Sequence, residues 1–441
     1  MSRSMFRSMS SRKLSGKVAL ALACVVTITS FLTVPQLAAQ TETVLYSFNS
    51  NGAGGDVPYA ALILDSSGNL YGTARNGGGS AIDGQGAGVV FELSPQAGGG
   101  WIYKVLHNFN NNPKDGTEPE AALVFDSAGN LYGTTQFGGI YGYGTVFELI
   151  PHANGTWSEQ IVHNFSLNGP DGYTPASSLI LDAFGNLYGT TPEGGIYGAG
   201  AAFELSPQAG GGWKEKLLHN FGSTNDGWGP IGLVFGPAGS DLAGNLYGVT
   251  FGGEDRQPDT SGTVYELSPQ SDGSWKETHL LSIPGASGSA PANPDAPPVF
   301  DQAGNLYTTS YLGGHYGRGT VFELSLKAGG GWSNKTLHSF LSTLGDGEQP
   351  LGGVIIDTSG NLYGTASENG LTNESMGIVY ELTPQTSGLW SETILYDFSQ
   401  LELANGTQPG AGLIRDSAGN LYGTTIYGGT YDGGAVFEVT P

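Results

Sequence analysis

Cysteine is all but missing: Cys24 is the single one in 441 residues. It lies near the N-terminus, so the chain beyond it can hold neither a disulfide nor a thiolate metal site. Charge is also scarce, at 12% of residues, which argues against long exposed helices and against a charge-rich disordered chain. Positive charge is the scarcer sign, with Lys+Arg 16 against Asp+Glu 39. Such a balance repels nucleic acid and anionic membrane surfaces. Motifs for chemistry are lacking too. There is no HExxH and no Asp-x-Asp-x-Asp-Gly calcium loop, and the Gly-rich loops run into strands rather than helices, so they cannot cradle phosphate. The nearest approach to a nucleophile elbow, Gly285-Ala286-Ser287-Gly288-Ser289, is partial and falls in a Pro-rich loop.

The first 39 residues differ from the rest. Arg3, Arg7, Arg12, Lys13 and Lys17 precede a mostly apolar run from Val18 to Val34, and Leu37-Ala38-Ala39 offers a small-residue cleavage site before Gln40. This predicts a secretory signal peptide over 1–39 and a secreted, periplasmic or cell-envelope location, with no membrane insertion after cleavage. A retained anchor is the alternative, weakened by Thr27, Thr29, Ser30 and Thr33, and the residues before Cys24 fit a lipobox poorly. Cleavage would remove five of the sixteen positive charges and leave 11 against 39 acidic residues, a net of −28.

What is abundant is glycine, 74 residues, with aromatics at 11%, a composition of short strands and tight turns. The stretch Gly-Asn-Leu-Tyr recurs with its Asn at Asn69, Asn130, Asn186, Asn245, Asn305, Asn361 and Asn420, spaced 61, 56, 59, 60, 56 and 59 apart. A period near 58 is too long for one β-helix coil and suits a four-stranded propeller blade. In the second unit, Ala121–Phe125 reads as strand A, the Asp126–Asn130 segment as a turn, and Leu131–Thr135 as strand B. "TVFELI" then gives strand C and "WSEQIVHNF" strand D. An Asp opens the turn at Asp65, Asp126, Asp182, Asp241, Asp301, Asp357 and Asp416, and strand D opens with Trp101, Trp157, Trp213, Trp275, Trp332 and Trp390. The seventh Trp of strand D is absent because the chain ends at strand C (Val436–Val439), while Thr43–Phe48 supplies an unmatched strand D at the start. Pairing these ends completes a seventh blade and removes open strand edges. The predicted fold is therefore all-β: one seven-bladed β-propeller over 40–441. Its blade cores fall at 59–109, 119–165, 175–221, 230–283, 297–340, 350–398 and 409–441 plus 43–48, with the strand-D Trp wedged between blades.

Asp-x-x-Gly-Asn-Leu-Tyr after an apolar strand resembles the A–B hairpin of NHL-type and gluconolactonase-like propellers, a resemblance that implies strand A lines a central channel. The longer signature, "GNLYGTT…GG…GxGTVFEL", resembles the Gloeo/Verruco (GloVer) tandem repeat family of secreted bacterial proteins over Thr43 to Pro441. That family is defined by repeats rather than by a reaction, so the resemblance implies a fold and is nearly silent about activity.

Propeller topology puts the long, variable B–C and D–A loops on one face, the top, where function is expected. Five D–A loops carry Asp-Gly or Asn-Gly, at Asp115, Asp171, Asp226, Asp346 and Asn405. They read either as carboxylates for a cation or sugar hydroxyls, or as self-capping turns. Tyr141, Tyr197, Tyr316 and Tyr431 sit in Gly-Gly-x-Tyr loops, as a platform for sugar rings or as loop anchors. Trp228 is the one Trp outside strand D and reads as an exposed binding anchor or a plug between blades. His315 and Arg318, with Arg75 and Arg256, are the unrepeated polar residues of the top loops. His107, His163, His219 and His338 occupy equivalent places in different blades, too far apart to share one metal. The leading expectation is a monomeric extracellular binding module for a glycan or protein, needing no cofactor. The alternatives are a lactonase-like or carbohydrate-active hydrolase or lyase with a divalent cation such as calcium near the channel, and a cell-envelope scaffold.

Overall fold

The computed structural model describes residues 41–49, 54–79, 86–110, 114–167, 170–223, 226–253, 260–284, 290–341, 346–372 and 375–441. The expected signal peptide, Arg256 and the Ser287 segment lie outside them. Seven four-stranded antiparallel sheets follow one another along the chain, with no α-helix among the described residues. In the second blade strand A is Val124–Phe125, B is Leu131–Thr135, C is Thr145–Pro151 and D is Trp157–Asn164. The last blade is assembled from both ends of the domain: Thr41–Asn49 lies antiparallel to Asp432–Thr440, with Val44 opposite Phe437 and Tyr46 opposite Val436. The ring therefore closes as the strand count requires.

The repeated turn is a small hydrogen-bonded unit. Asp65 Oδ1 accepts from the Ser67 and Asn69 amides, and Oδ2 accepts from Asn69 Nδ2 and Tyr71 Oη. The same set forms at Asp126, Asp182, Asp301, Asp357 and Asp416. Asp241 is the departure. In its blade the turn is longer, and the amide of Gly236, not Asp241, donates the closing backbone bond to the Asn245 carbonyl. The strand-B tyrosine also donates to the strand-C glutamate, as Tyr132 does to Glu148 at 2.8 Å.

Adjacent blades are joined in two ways. The strand-D Trp of one blade meets the strand-B Tyr of the preceding one: Trp213 against Tyr132, Trp332 against Tyr247, Trp390 against Tyr307 and, across the closure, Trp101 against Tyr422, with ring centroids 5.9–6.4 Å apart. Trp157 and Trp275 occupy the same junctions beside Tyr71 and Tyr188. These Trp are half-buried, so each contributes less than a fully buried indole would. The second joint is made by the D–A loop. Just before a proline, each loop holds one residue in the left-handed conformation: Val57, Glu118, Thr174, Gly229, Asn293, Gln349 and Gln408, with φ between 54 and 65°. Its amide donates to a carbonyl near the start of the previous blade's strand C, as Glu118 does to Ala87 at 2.9 Å and Val57 does to Gly433 at 2.9 Å. The following proline then lies against a glycine of that blade. A Cβ added at Gly88 would meet Pro119 Cδ at 2.4 Å, and one at Gly319 would meet Pro350 Cδ at 2.5 Å. Only glycine fits there, which explains the constant Gly before strand C.

Candidate functional site at the mouth of the channel

The proline joint also builds the site. The residue after each proline is held at the inner rim, so every blade contributes one residue there: Tyr59, Glu120, Ala176, Ile231, Asp295, Leu351 and Gly410. All seven line a single cavity of about 1210 Å³. Its wall is made by the small residues that lead into strand A, among them Ala60, Ala121, Ser177, Pro297, Gly352 and Ala411. Strand A therefore faces the central channel. A smaller adjoining cavity of about 400 Å³ shares Tyr59, Phe251 and Asp295 and adds Tyr311, Gln349, Gln408 and Tyr427.

The rim is uneven in chemistry. Three blades place Tyr59, Glu120 and Asp295 on it, and the others place apolar or small residues. Arg75 pairs with both Glu118, at 2.7 Å, and Glu120, at 2.9 Å. Burial raises the Glu120 carboxyl, with Arg75 opposing. Among the described residues Asp295 has no such counter-ion, and burial pushes it up to about 7. Tyr59, 38% exposed, is raised by burial and by the nearby charges of Glu120 and Asp295. The mouth thus combines aromatic faces, amide side chains, a neutralised carboxylate and an acid that titrates near neutral pH. Such a set can stack on a ring and exchange hydrogen bonds with hydroxyls.

Of the residues expected on top, Trp228 belongs to this mouth, but not as a free indole. It opens strand A of the fourth blade (Trp228–Phe235), is half-buried, and packs edge-on to Phe251 at 5.8 Å. Its ring lies across Gly252, where an added Cβ would sit 1.8 Å from Cε2. Tyr141, Tyr197, Tyr316 and Tyr431 are each more than half exposed at loop tips and do not line the cavity. His315 stacks edge-on to Tyr316 at 4.6 Å, and Arg318 pairs with the buried Glu348 at 3.0 Å. The D–A carboxylates are not brought together as a ring around the channel. Asp115, Asp226 and Asp346 are buried and Asp171 half-buried, each turned into a separate junction between blades beside a strand-D histidine. Asn405 Nδ2 donates to Tyr396 Oη at 2.7 Å. The sequence reading did not single out Tyr59, Glu120 or Asp295. The signal was present in the variable position that follows each repeated proline.

The sequence profile described as the Gloeobacter/Verrucomicrobia repeat matches residues 31–258 and 237–441. No curated protein matches the chain. Among solved structures, an ancestral GH74 enzyme aligns over 91% of this chain and 51% of its own at 12% identity and a TM-score of 0.54. This chain thus spans about half the length of that enzyme. A protein from Lactobacillus plantarum aligns over 78% of this chain and 85% of its own, at 16% identity and a TM-score of 0.45. A luciferin-regenerating enzyme aligns over 72% and 90%, at 15% identity and a TM-score of 0.41. At these identities the likeness reaches the propeller fold alone. No helix among the described residues is long and apolar enough to cross a membrane. With the repeat profile covering both halves of the ring, the chain belongs to the Gloeobacter/Verrucomicrobia repeat family.

Proposed function

We propose that this propeller is an extracellular binding module whose channel mouth takes a neutral glycan. One observation carries the reading: an otherwise apolar and small-residue rim gathers Tyr59, Trp228, Phe251 and Tyr427 with Asp295, Gln349 and Gln408 around adjoining cavities. Aromatic faces bury the apolar faces of sugar rings, and the carboxyl and amides satisfy the hydroxyls. The acidic surface disfavours anionic polymers, which selects an uncharged chain. Binding to a panel of neutral polysaccharides, followed by affinity electrophoresis, tests this. Tyr59→Ala and Trp228→Ala are expected to weaken binding at least about tenfold, the loss of about 1.4 kcal/mol. No binding by the wild type, or undiminished binding by both variants, rules the reading out.

A hydrolase is the second reading, favoured by Asp295, whose position near 7 suits a general acid. Release of reducing ends by the wild type and its loss in Asp295→Asn would support it. Retained binding by Asp295→Asn with no release from either protein would support the binding module.

A further inference from the structure

Four junctions between blades hold histidine and carboxylates together. In three of them a strand-D histidine, the aspartate of the following D–A loop and a glutamate from strand D of the next blade converge: His107, Asp115 and Glu159; His163, Asp171 and Glu215; His338, Asp346 and Glu392. In the third along the chain, Asp226 bonds to His219 and lies with Glu277. At the third, His279 joins the group. In the first two, His Nε2 stands 3.6–3.8 Å from the carboxylate oxygens. That is too long for a hydrogen bond and close to the about 3.4 Å between ligands around a tetrahedral ion with bonds of 2.0–2.1 Å. Asp115 and Asp226 are 3% and 4% exposed, and Oδ1 of each is buried without a hydrogen-bond partner; that of Asp115 lies 3.6 Å from His107 Nε2. His107 Nε2 and Glu159 Oε1 are likewise buried and unbonded, so all three atoms of that group face the same point unsatisfied. Buried polar atoms are rarely left in this state.

The repeat supplies its own controls. Where the strand-D histidine is replaced, the aspartate of the following loop is replaced with it, by Gly54, Ala290 and Asn405, although Glu42 keeps the glutamate position between the sixth and seventh blades. Across the closure the equivalent positions hold Tyr46 and Tyr103, stacked at 3.9 Å. Between the sixth and seventh blades, Tyr396 and Asn405 form a direct hydrogen bond of 2.7 Å. Between the fourth and fifth, Leu281 and Asn334 take the places of His and Glu. The Tyr46 and Tyr396 junctions thus close by direct contact, whereas the first two His-Asp-Glu junctions converge on an unfilled point; at the third and fourth the histidine also bonds the aspartate, at 2.9 and 3.2 Å.

We propose that each His-Asp-Glu junction binds a divalent transition ion of the zinc class, clamping two neighbouring blades. One imidazole with two carboxylates is a nitrogen–oxygen set that suits such ions and disfavours calcium and magnesium. A fourth ligand comes from water, or from His279 at the third junction. The histidine side chains are 18–20% exposed, which gives the ion access.

The test uses the full chain, stripped with chelator and titrated with Zn2+ alone. Elemental analysis after desalting is expected to find an ion at each junction, four per chain when all are filled, and Tm is expected to rise with Zn2+ but not with equal Ca2+ or Mg2+. The pair His107→Gln and Asp115→Asn should lower the stoichiometry by one. Should that variant not fold, wild-type protein loaded with Co2+ should show a visible absorption band for nitrogen–oxygen coordination. No retained ion, an unchanged stoichiometry in the double variant, or a colourless cobalt protein would overturn the proposal. A proton shared among the three side chains, the competing occupant, predicts those negative results.

Discussion

Among single residues, the left-handed position before each proline carries the most information. A non-glycine residue there has a conformational cost of about 1–2 kcal/mol, and a β-branched one at φ 56°, such as Val57, is the worst placed. The chain accepts that strain because the amide so presented bonds to the neighbouring blade and the next side chain reaches the rim. Val57→Gly should therefore stabilise the protein by about 0.5–1 kcal/mol, after glycine's own entropy cost is subtracted. Urea unfolding measures this, and a destabilised variant would show that the Val57 side chain outweighs its backbone. This strain could not be read from the sequence, because the partner that enforces it lies in another blade. The Asp65-type turns could be read, because donor and acceptor lie within six residues and their chemistry is local.

At the level of strands and junctions, the half-buried Trp is the recurring lateral contact. Trp101 meets Tyr422 at the one junction formed by the two ends of the domain, which makes it the most sensitive place to weaken. Trp101→Ala is expected to lose about 2–3 kcal/mol, below the range for a fully buried indole. A double-mutant cycle with Tyr422→Ala should return a coupling of about 0.5–1.5 kcal/mol, since the rings meet edge to face. Additive losses would place the Trp contribution in burial alone. The position of this Trp at the head of each strand D announced the contact. The His-Asp-Glu groups were harder to see, because their three members come from two blades and a loop. Sequence separation put the histidines apart correctly, but it hid the glutamate that each gains from its neighbour.

For the whole molecule, the ring is closed by the segment Thr41–Asn49, and that lock carries its own titrating group. Glu42 lies opposite Val439 in the closing pair, and its carboxyl is raised from an ordinary value near 4.5 to about 7 by burial, with Glu402 adding to the rise and a bond from Tyr396 opposing it. The folded ring therefore holds a proton that the unfolded chain has already released between these values. Its contribution is fully present below about pH 4.5 and is lost as the pH rises through about 7. Strand arithmetic alone foretold the closure, since seven A, B and C strands needed a seventh D. The burial of one carboxyl within it could not be foretold, because it depends on how Glu402 and Tyr396 fold over the seam. Glu42→Gln, always neutral, should leave Tm nearly unchanged at pH 4.5 and raise it above wild type increasingly from pH 4.5 to about 7, levelling off above that, the window the shift defines. Thermal melts of both proteins across that range decide it: a Tm difference that stays flat with pH would remove Glu42 from the account of how the closed ring responds to acid.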